Sequence, residues 1–150
     1  MHVVLYQPEI PPNTGSIARL CAATKTPLHL IAPLGFKIDD KHLKRAGLDY
    51  WRFVDLTLHD CWEEFLAKSC KQRLLFFSKK ASKSYTQASY QDSDSLIFGP
   101  ETRGLPEDLL ETHKDQAYVI PMMSKDVRSL NLSNAVSIVL YEALRQKGKL

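Results

Sequence analysis

The stretch Tyr118–Leu144, YVIPMMSKDVRSLNLSNAVSIVLYEAL, limits the possible folds of this chain more than any other. It opens with the β-branched pair Val119-Ile120, stopped by Pro121, which has no N–H to give to a sheet ladder. A polar loop carrying Lys125 and Arg128 follows. Then Ser129-Leu130-Asn131-Leu132-Ser133-Asn134 leads into a helical pattern in which Leu132, Val136, Val139 and Ala143 form one stripe. Ala135, Ile138, Leu140 and Leu144 fill the other sides. A helix apolar all round has to be buried, against a sheet, a second subunit, or both. The Ser and Asn residues at its mouth bring hydroxyls, amides and free backbone N–H groups to a strand-to-helix junction, where α/β proteins bind ligands. Capping alone explains any single one of Ser129, Asn131 or Ser133. The cluster points to a site.

The rest of the chain alternates short apolar runs with helical patterns. Strands are expected at His2–Tyr6, Leu28–Ala32, Tyr50–Val54, Arg73–Ser78, Ser95–Phe98 and Ala117–Ile120. Helices are expected at Thr14–Lys25, Asp39–Ala46, Leu58–Lys71 and Pro106–Thr112, before the final one. This alternation predicts an α/β fold with a mostly parallel sheet. At 150 residues, without a repeat or linker, residues 1–150 read as one domain with a proper core.

Composition narrows the class. The three cysteines, Cys21, Cys61 and Cys70, form no C-x-x-C pair and read as reduced thiols. The five histidines are scattered without metal-ligand spacing, so no metal site is expected. Met1 leads straight into a strand pattern and no apolar run nears the roughly 18 residues that span a bilayer. The expectation is a cytoplasmic protein that makes no membrane contact. A net charge of +3 permits an anionic partner such as RNA without requiring one.

Two further stretches carry chemistry. After the first strand, Gln7-Pro8-Glu9-Ile10-Pro11-Pro12 is too proline-rich for regular structure. Asn13-Thr14-Gly15 then opens a helix, with Asn13 or Thr14 as its N-cap. Arg19 projects from a different face than the Ile17, Leu20, Cys21, Thr24 stripe. It is either a solvated charge or a guanidinium held near a phosphate at a helix start. The second stretch is Ile97–Pro106, IFGPETRGLP, where a strand ends on Gly99-Pro100, forcing a sharp turn that lets a ligand approach the backbone. Glu101 is the one carboxylate placed to face a loop-bound cation or hydroxyl. Pro106, Glu107 and Asp108 start a helix with favourable charge placement. Without G-x-G-x-x-G, a dinucleotide site and hence a nicotinamide-dependent dehydrogenase are disfavoured. Lys41, Lys44 and Arg45 either pair with Asp39 and Asp40 or meet a nucleic-acid backbone. Lys79, Lys80 and Lys83 make a second basic patch, a solvated loop or an RNA contact. Tyr50 and Trp51 read as core or strand-face aromatics rather than base-stacking platforms.

Taken together, N-T-G-S-I-A-R (Asn13–Arg19), F-G-P-E-T-R-G-L (Phe98–Leu105) and I-P-M…R-S-L-N-L-S-N-A-V-S (Ile120–Ser137) resemble the SPOUT class of RNA methyltransferases. More narrowly they resemble its small YibK-like members, which methylate the ribose 2′-oxygen of the tRNA wobble nucleotide. The likeness runs nearly end to end, through L-Y-Q-P-E-I-P-P-N-T-G and D-D-K-H-L-K-R-A-G-L-D-Y-W. It implies a SPOUT fold with helices on both faces of the sheet and a C-terminal trefoil knot, a feature outside ordinary fold expectations. It implies S-adenosylmethionine held largely by backbone groups at Phe77, Ser78, Gly99, Ile120, Ser129 and Leu130. It also implies a reacting end formed by Arg19, Asn13, Glu101 and Asn131 with Ser129, a homodimer in which Arg19 crosses to its partner, and the tRNA anticodon stem-loop as substrate. The alternatives are the same chemistry on another tRNA or rRNA position, or a silent RNA-binding factor.

Overall fold

The computed structural model describes residues 1–38, 50–69 and 72–150. Among these are seven strands: β1 (His2–Tyr6), β2 (Leu28–Ile31), β3 (Leu56–His59), β4 (Arg73–Phe77), β5 (Lys83–Ser84), β6 (Asp94–Phe98) and β7 (Ala117–Val119). All pairings are parallel, in the order β3-β2-β1-β6-β4-β7-β5. The α-helices among the described residues are α1 (Pro11–Thr24), α2 (Trp62–Lys68), α3 (Glu107–Thr112) and α4 (Leu132–Gln146).

Period-two alternation along the strands sends side chains to two cores. Val3, Leu5, Leu75, Phe77, Leu96 and Phe98 face α1 and α4, whose Ile17, Ala18, Val136, Val139 and Leu140 complete one apolar layer. Val4, Phe76 and Ile97 face the opposite way, onto Phe65 of α2 and Leu110 of α3. Helices therefore cover both faces, as the near-continuous apolar strands require of a parallel sheet. The final helix buries Leu132, Val136, Val139, Leu140, Ala143 and Leu144, while Ile138 and Tyr141 stay exposed on its other side.

Four expectations need correction. Helix α1 begins at Pro11 rather than Thr14, and its N-cap is Ile10, so neither Asn13 nor Thr14 caps it. Prolines fit the first turn because that turn's N–H groups have no intrahelical acceptor anyway. Tyr50–Val54 is not a strand; Trp51–Phe53 is a 3-10 turn, and the third strand is Leu56–His59. Aromatic content suggested a strand, but Trp51 turns inward against the core and Leu56, not Tyr50, pairs with Leu28. The helix expected from Leu58 starts only at Trp62, with Glu63 and Glu64 in its first turn. The two-residue β5 falls in a stretch read as loop. The expected helix Asp39–Ala46, with Lys41, Lys44 and Arg45, and Cys70 lie outside the described residues.

Three histidines stand in a diagonal row across β1, β2 and β3. His2 Nδ1 lies 3.0 Å from His29 Nε2, and His29 Nδ1 lies 2.9 Å from His59 Nε2. The Ser95 hydroxyl donates to the Gln72 side-chain oxygen, which leaves the Gln72 amide nitrogen to donate to His2 Nε2 at 3.2 Å. Each ring then accepts at Nε2 and donates from Nδ1. The row ends at His59 Nδ1, buried without a partner among the described residues. This pattern needs neutral rings. Burial, together with the neighbouring His2 and His59, pushes the His29 pKa down to about 4, and burial also lowers those of His2 and His59. Asp55 and Glu64 oppose these shifts, while Lys68 and the N-terminal amine reinforce them.

The unfolded histidines, titrating near pH 6.5, bind protons that the folded ones refuse. Their stabilising contribution is therefore complete above that pH and is lost as pH falls towards about 4, the folded value for His29. Urea denaturation between pH 7.5 and 4.5 should show a falling midpoint, and His29→Gln should flatten the fall. An unchanged pH profile in that variant would show that the row does not carry it.

Candidate active site

The carboxyl ends of β4, β6 and β7 and the amino end of α4 surround a cavity of about 400 Å³, within the range that small-molecule sites occupy. Its apolar walls include Phe77, Phe98, Leu105, Ile120 and Leu132, with the Phe77 and Phe98 rings stacked 5.0 Å apart. Polar groups enter from Ser78, Glu101, Thr102, Ser129 and Asn131, and positive charge from Lys79, Lys80 and Arg103. In the strand order β6 sits between β1 and β4, and β7 between β4 and β5, so chain direction across the sheet reverses here. Ligand crevices in open parallel sheets form at such reversals.

Every residue expected to hold the cofactor, Phe77, Ser78, Gly99, Ile120, Ser129 and Leu130, lines this cavity. Of the reacting group, Asn13, Glu101 and Asn131 line it too. Arg19 does not. It lies on the exposed side of α1, its guanidinium 4.7 Å from the centre of the Tyr50 ring.

The three cavity residues form one hydrogen-bonded chain. Asn131 caps α4, its Oδ1 accepting from the Ser133 N–H at 2.8 Å and the Ser133 hydroxyl at 2.6 Å. Its Nδ2 must then face the other way, where it donates to Asn13 Oδ1 at 2.9 Å. Asn13 Nδ2 in turn donates to Glu101 Oε1 at 3.1 Å. The capping geometry at one end thus sets both amide orientations.

Glu101 has a second task. It accepts from the backbone N–H groups of Glu9 (2.8 Å) and Ile10 (3.2 Å), so its carboxylate seats the entry to α1. Glu9 returns the contact, its Oε2 accepting from the Thr102 N–H at 3.0 Å and the Thr102 hydroxyl at 2.7 Å; these bonds lower its pKa. Arg103 donates to the Gln7 side-chain oxygen at 2.9 Å. Sequence reading missed Glu9, Gln7 and Thr102, because partners more than 90 positions apart leave no periodicity. The basic patch divides: Lys80 pairs with Glu107, Lys83 donates to the Asp115 carbonyl at 2.9 Å, and Lys79 is exposed at the cavity wall. Among the described residues no cluster of three metal-ligating side chains occurs, and no helix is long and apolar enough to cross a membrane.

The chain belongs to the SpoU rRNA methylase family, whose model matches residues 1–141. The tRNA (cytidine(34)-2′-O)-methyltransferase of Escherichia coli strain K12 is 53% identical over 149 residues, covering 99% of this chain and 94% of that protein. A solved structure described as giving structural insights into the 2-OH methylation of C/U34 on tRNA superposes with a TM-score of 0.93 at 49% identity, over 99% of this chain and 97% of that one. The SpoU methyltransferase AviRb of Streptomyces viridochromogenes, solved with AdoMet, matches with a TM-score of 0.85 at 23% identity, over 98% of this chain and 57% of that one. That last likeness concerns the fold alone.

Gly99 and Glu101 yield separate tests. A Cβ on Gly99 would lie 2.4 Å from Leu105 N and 2.6 Å from the Gly104 carbonyl carbon, so the loop would have to shift. Gly99→Ala should weaken S-adenosylmethionine binding by tenfold or more in calorimetry; unchanged affinity would show that the loop takes no part. Glu101→Ala strips an acceptor from two backbone N–H groups and Asn13, and should cost about 1–3 kcal/mol in urea denaturation. Glu101→Gln, which keeps one acceptor oxygen, should cost less.

Proposed function

We propose that this chain transfers the methyl group of S-adenosylmethionine to the ribose 2′-oxygen of the wobble nucleotide, cytidine or uridine 34, of tRNA. It does so as a cytoplasmic homodimer, with residues 1–150 acting as one catalytic domain. The observation that carries the reading is the convergence on one cavity of seven residues from the three separated cassettes, Asn13, Gly99, Glu101, Ile120, Ser129, Leu130 and Asn131, with Phe77 and Ser78 at the end of β4. The near-full-length identity to a protein named for cytidine-34 2′-O-methylation gives the substrate.

The cavity suits the cofactor: apolar walls for an adenine, polar groups at its edges, and a glycine turn so tight that a Cβ would strike backbone. Bound there, S-adenosylmethionine supplies an electrophilic methyl on a sulfonium sulfur. The protein's own work is orientation, which alone can provide several kcal/mol. The Asn131–Asn13–Glu101 chain fixes which amide atoms face the reacting end. A guanidinium is always protonated, so Arg19 serves as a grip on a flanking phosphate and a stabiliser of charge developing on the 2′-oxygen.

Arg19 lies outside its own chain's cavity, which fits delivery of this side chain to a partner's site. The exposed Ile138 and Tyr141, apolar residues on the outer face of α4, fit a second copy packing there. A C-terminal trefoil knot is part of the same reading. It is supported by the position of β7, which pairs with both β4 and β5 although residues 78–82 alone join those two strands.

Nucleoside mass spectrometry of tRNA incubated with protein and S-adenosylmethionine should reveal a new 2′-O-methylated cytidine or uridine at position 34. Methylation at another position would refute the site, and cofactor binding without methylation would refute this substrate. Arg19→Ala and Asn131→Ala should each abolish turnover, and mixed dimers of the two should regain activity. Failure to complement would mean that each chain uses its own arginine.

A further inference from the structure

We propose that Tyr50 and Phe53, with Arg19 and Arg52 stacked on them, form a stacking subsite for an unpaired base flanking the reactive nucleotide. The proposal rests on the RNA-methylation reading and adds to it a place where substrate RNA is gripped.

The local backbone builds the platform. Residues 50–53 form a 3-10 turn closed by the Phe53 N–H donating to the Tyr50 carbonyl at 2.8 Å. Side chains three apart eclipse in such a turn, so Tyr50 and Phe53 project to the same side. Trp51 points inward and, with Val54, packs on the core beneath α1. One aromatic thus anchors the turn while two face solvent, Tyr50 40% and Phe53 61% exposed.

Each outward ring carries a cation. The Arg19 guanidinium carbon is 4.7 Å from the Tyr50 ring centre, and that of Arg52 is 4.7 Å from the Phe53 ring centre. Tyr50, Phe53, Arg19, Ala22, Ala23 and Lys25 line a groove of about 500 Å³, and the two charged residues among these described lining residues are cations. Ring faces accept any base and guanidinium groups accept phosphate, the combination by which unpaired nucleotides are bound. Arg19 links this groove to the reaction, since the same guanidinium is the one assigned to grip a phosphate beside the reacting ribose. Tyr50 is then a positioning residue that holds Arg19, and Phe53 is the surface that takes the base.

Fluorescence anisotropy with a labelled anticodon stem-loop RNA, without cofactor, tests the subsite directly. Phe53→Ala should weaken RNA binding about tenfold and Phe53→Trp should return it to within about twofold, while Phe53→Leu, apolar but not aromatic, should not. Cofactor affinity and melting temperature should stay unchanged in all three. Tyr50→Leu should lower kcat with KM for S-adenosylmethionine unaltered, and Tyr50→Phe should restore it. Phe53→Leu binding RNA as tightly as wild type would overturn the proposal. So would a Phe53→Ala protein that sediments as a monomer, since the patch would then be an interface between copies. If wild type methylates tRNA and Phe53→Ala binds RNA normally, the subsite alone fails. If Phe53→Ala weakens RNA binding and wild type transfers no methyl, the methylation reading fails and the subsite stands.

Discussion

The carboxylate of Glu101 joins three parts of the chain that meet only in the folded protein. It accepts from the backbone of Glu9 and Ile10 at the start of α1 and from the side chain of Asn13, which is itself bonded to the cap of α4. Two entry amides, whose helix begins with prolines that cannot donate, find their acceptor in this one group. The reciprocal bonds of Glu9 to Thr102 make the tie two-sided, so the α1 entry and the loop after β6 hold one relative position. Charge-assisted bonds of this kind are stronger than neutral ones, which suits a junction on the solvent side of the sheet.

That junction sits where the sheet makes room for a ligand. Parallel strands all present their carboxyl ends on one side, and the insertion of β6 beside β1 and of β7 beside β4 opens a crevice there. Both cores feed it. Phe77 and Phe98 belong to the layer under α1 and α4, whereas Leu105 belongs to the layer under α2 and α3. A cavity walled from two packed layers is held rigid, and rigidity is what an alignment-dependent transfer needs. The Asn131–Asn13–Glu101 chain and the cavity walls thus share one scaffold, while Arg19 is set on the outer face of α1.

Much of this could be read from residue order. The apolar alternation of HVVLY, RLLFF and DSLIF gave the central strands almost to the residue. The cluster at the mouth of α4 falls on the cavity, Ser129, Leu130 and Asn131 lining it while Asn131 also caps the helix. The aromatic run around Tyr50 misled. β-propensity reflects how a ring packs on a pleated surface, and here Trp51 found its packing in a turn instead. The clasp between Glu9 and Thr102 left no trace, because hydrogen bonds across some ninety positions follow neither helical nor strand spacing.

The sequence by itself determined the parallel α/β class and the apolar stripe of the last helix, and its resemblance to a methyltransferase class implied nine residues that the fold brings to one cavity. The class and the stripe follow from local periodicity, whereas the full set of nine follows from the resemblance. Tertiary structure alone decided that Glu101 braces a helix entry as well as lining the cavity, that three histidines align into a row of neutral rings, and that Arg19 rests on Tyr50 outside the cavity. Each depends on which strands become neighbours and in what register. Strand order is set by the burial of both faces of the whole sheet at once, a condition that no short stretch of chain contains.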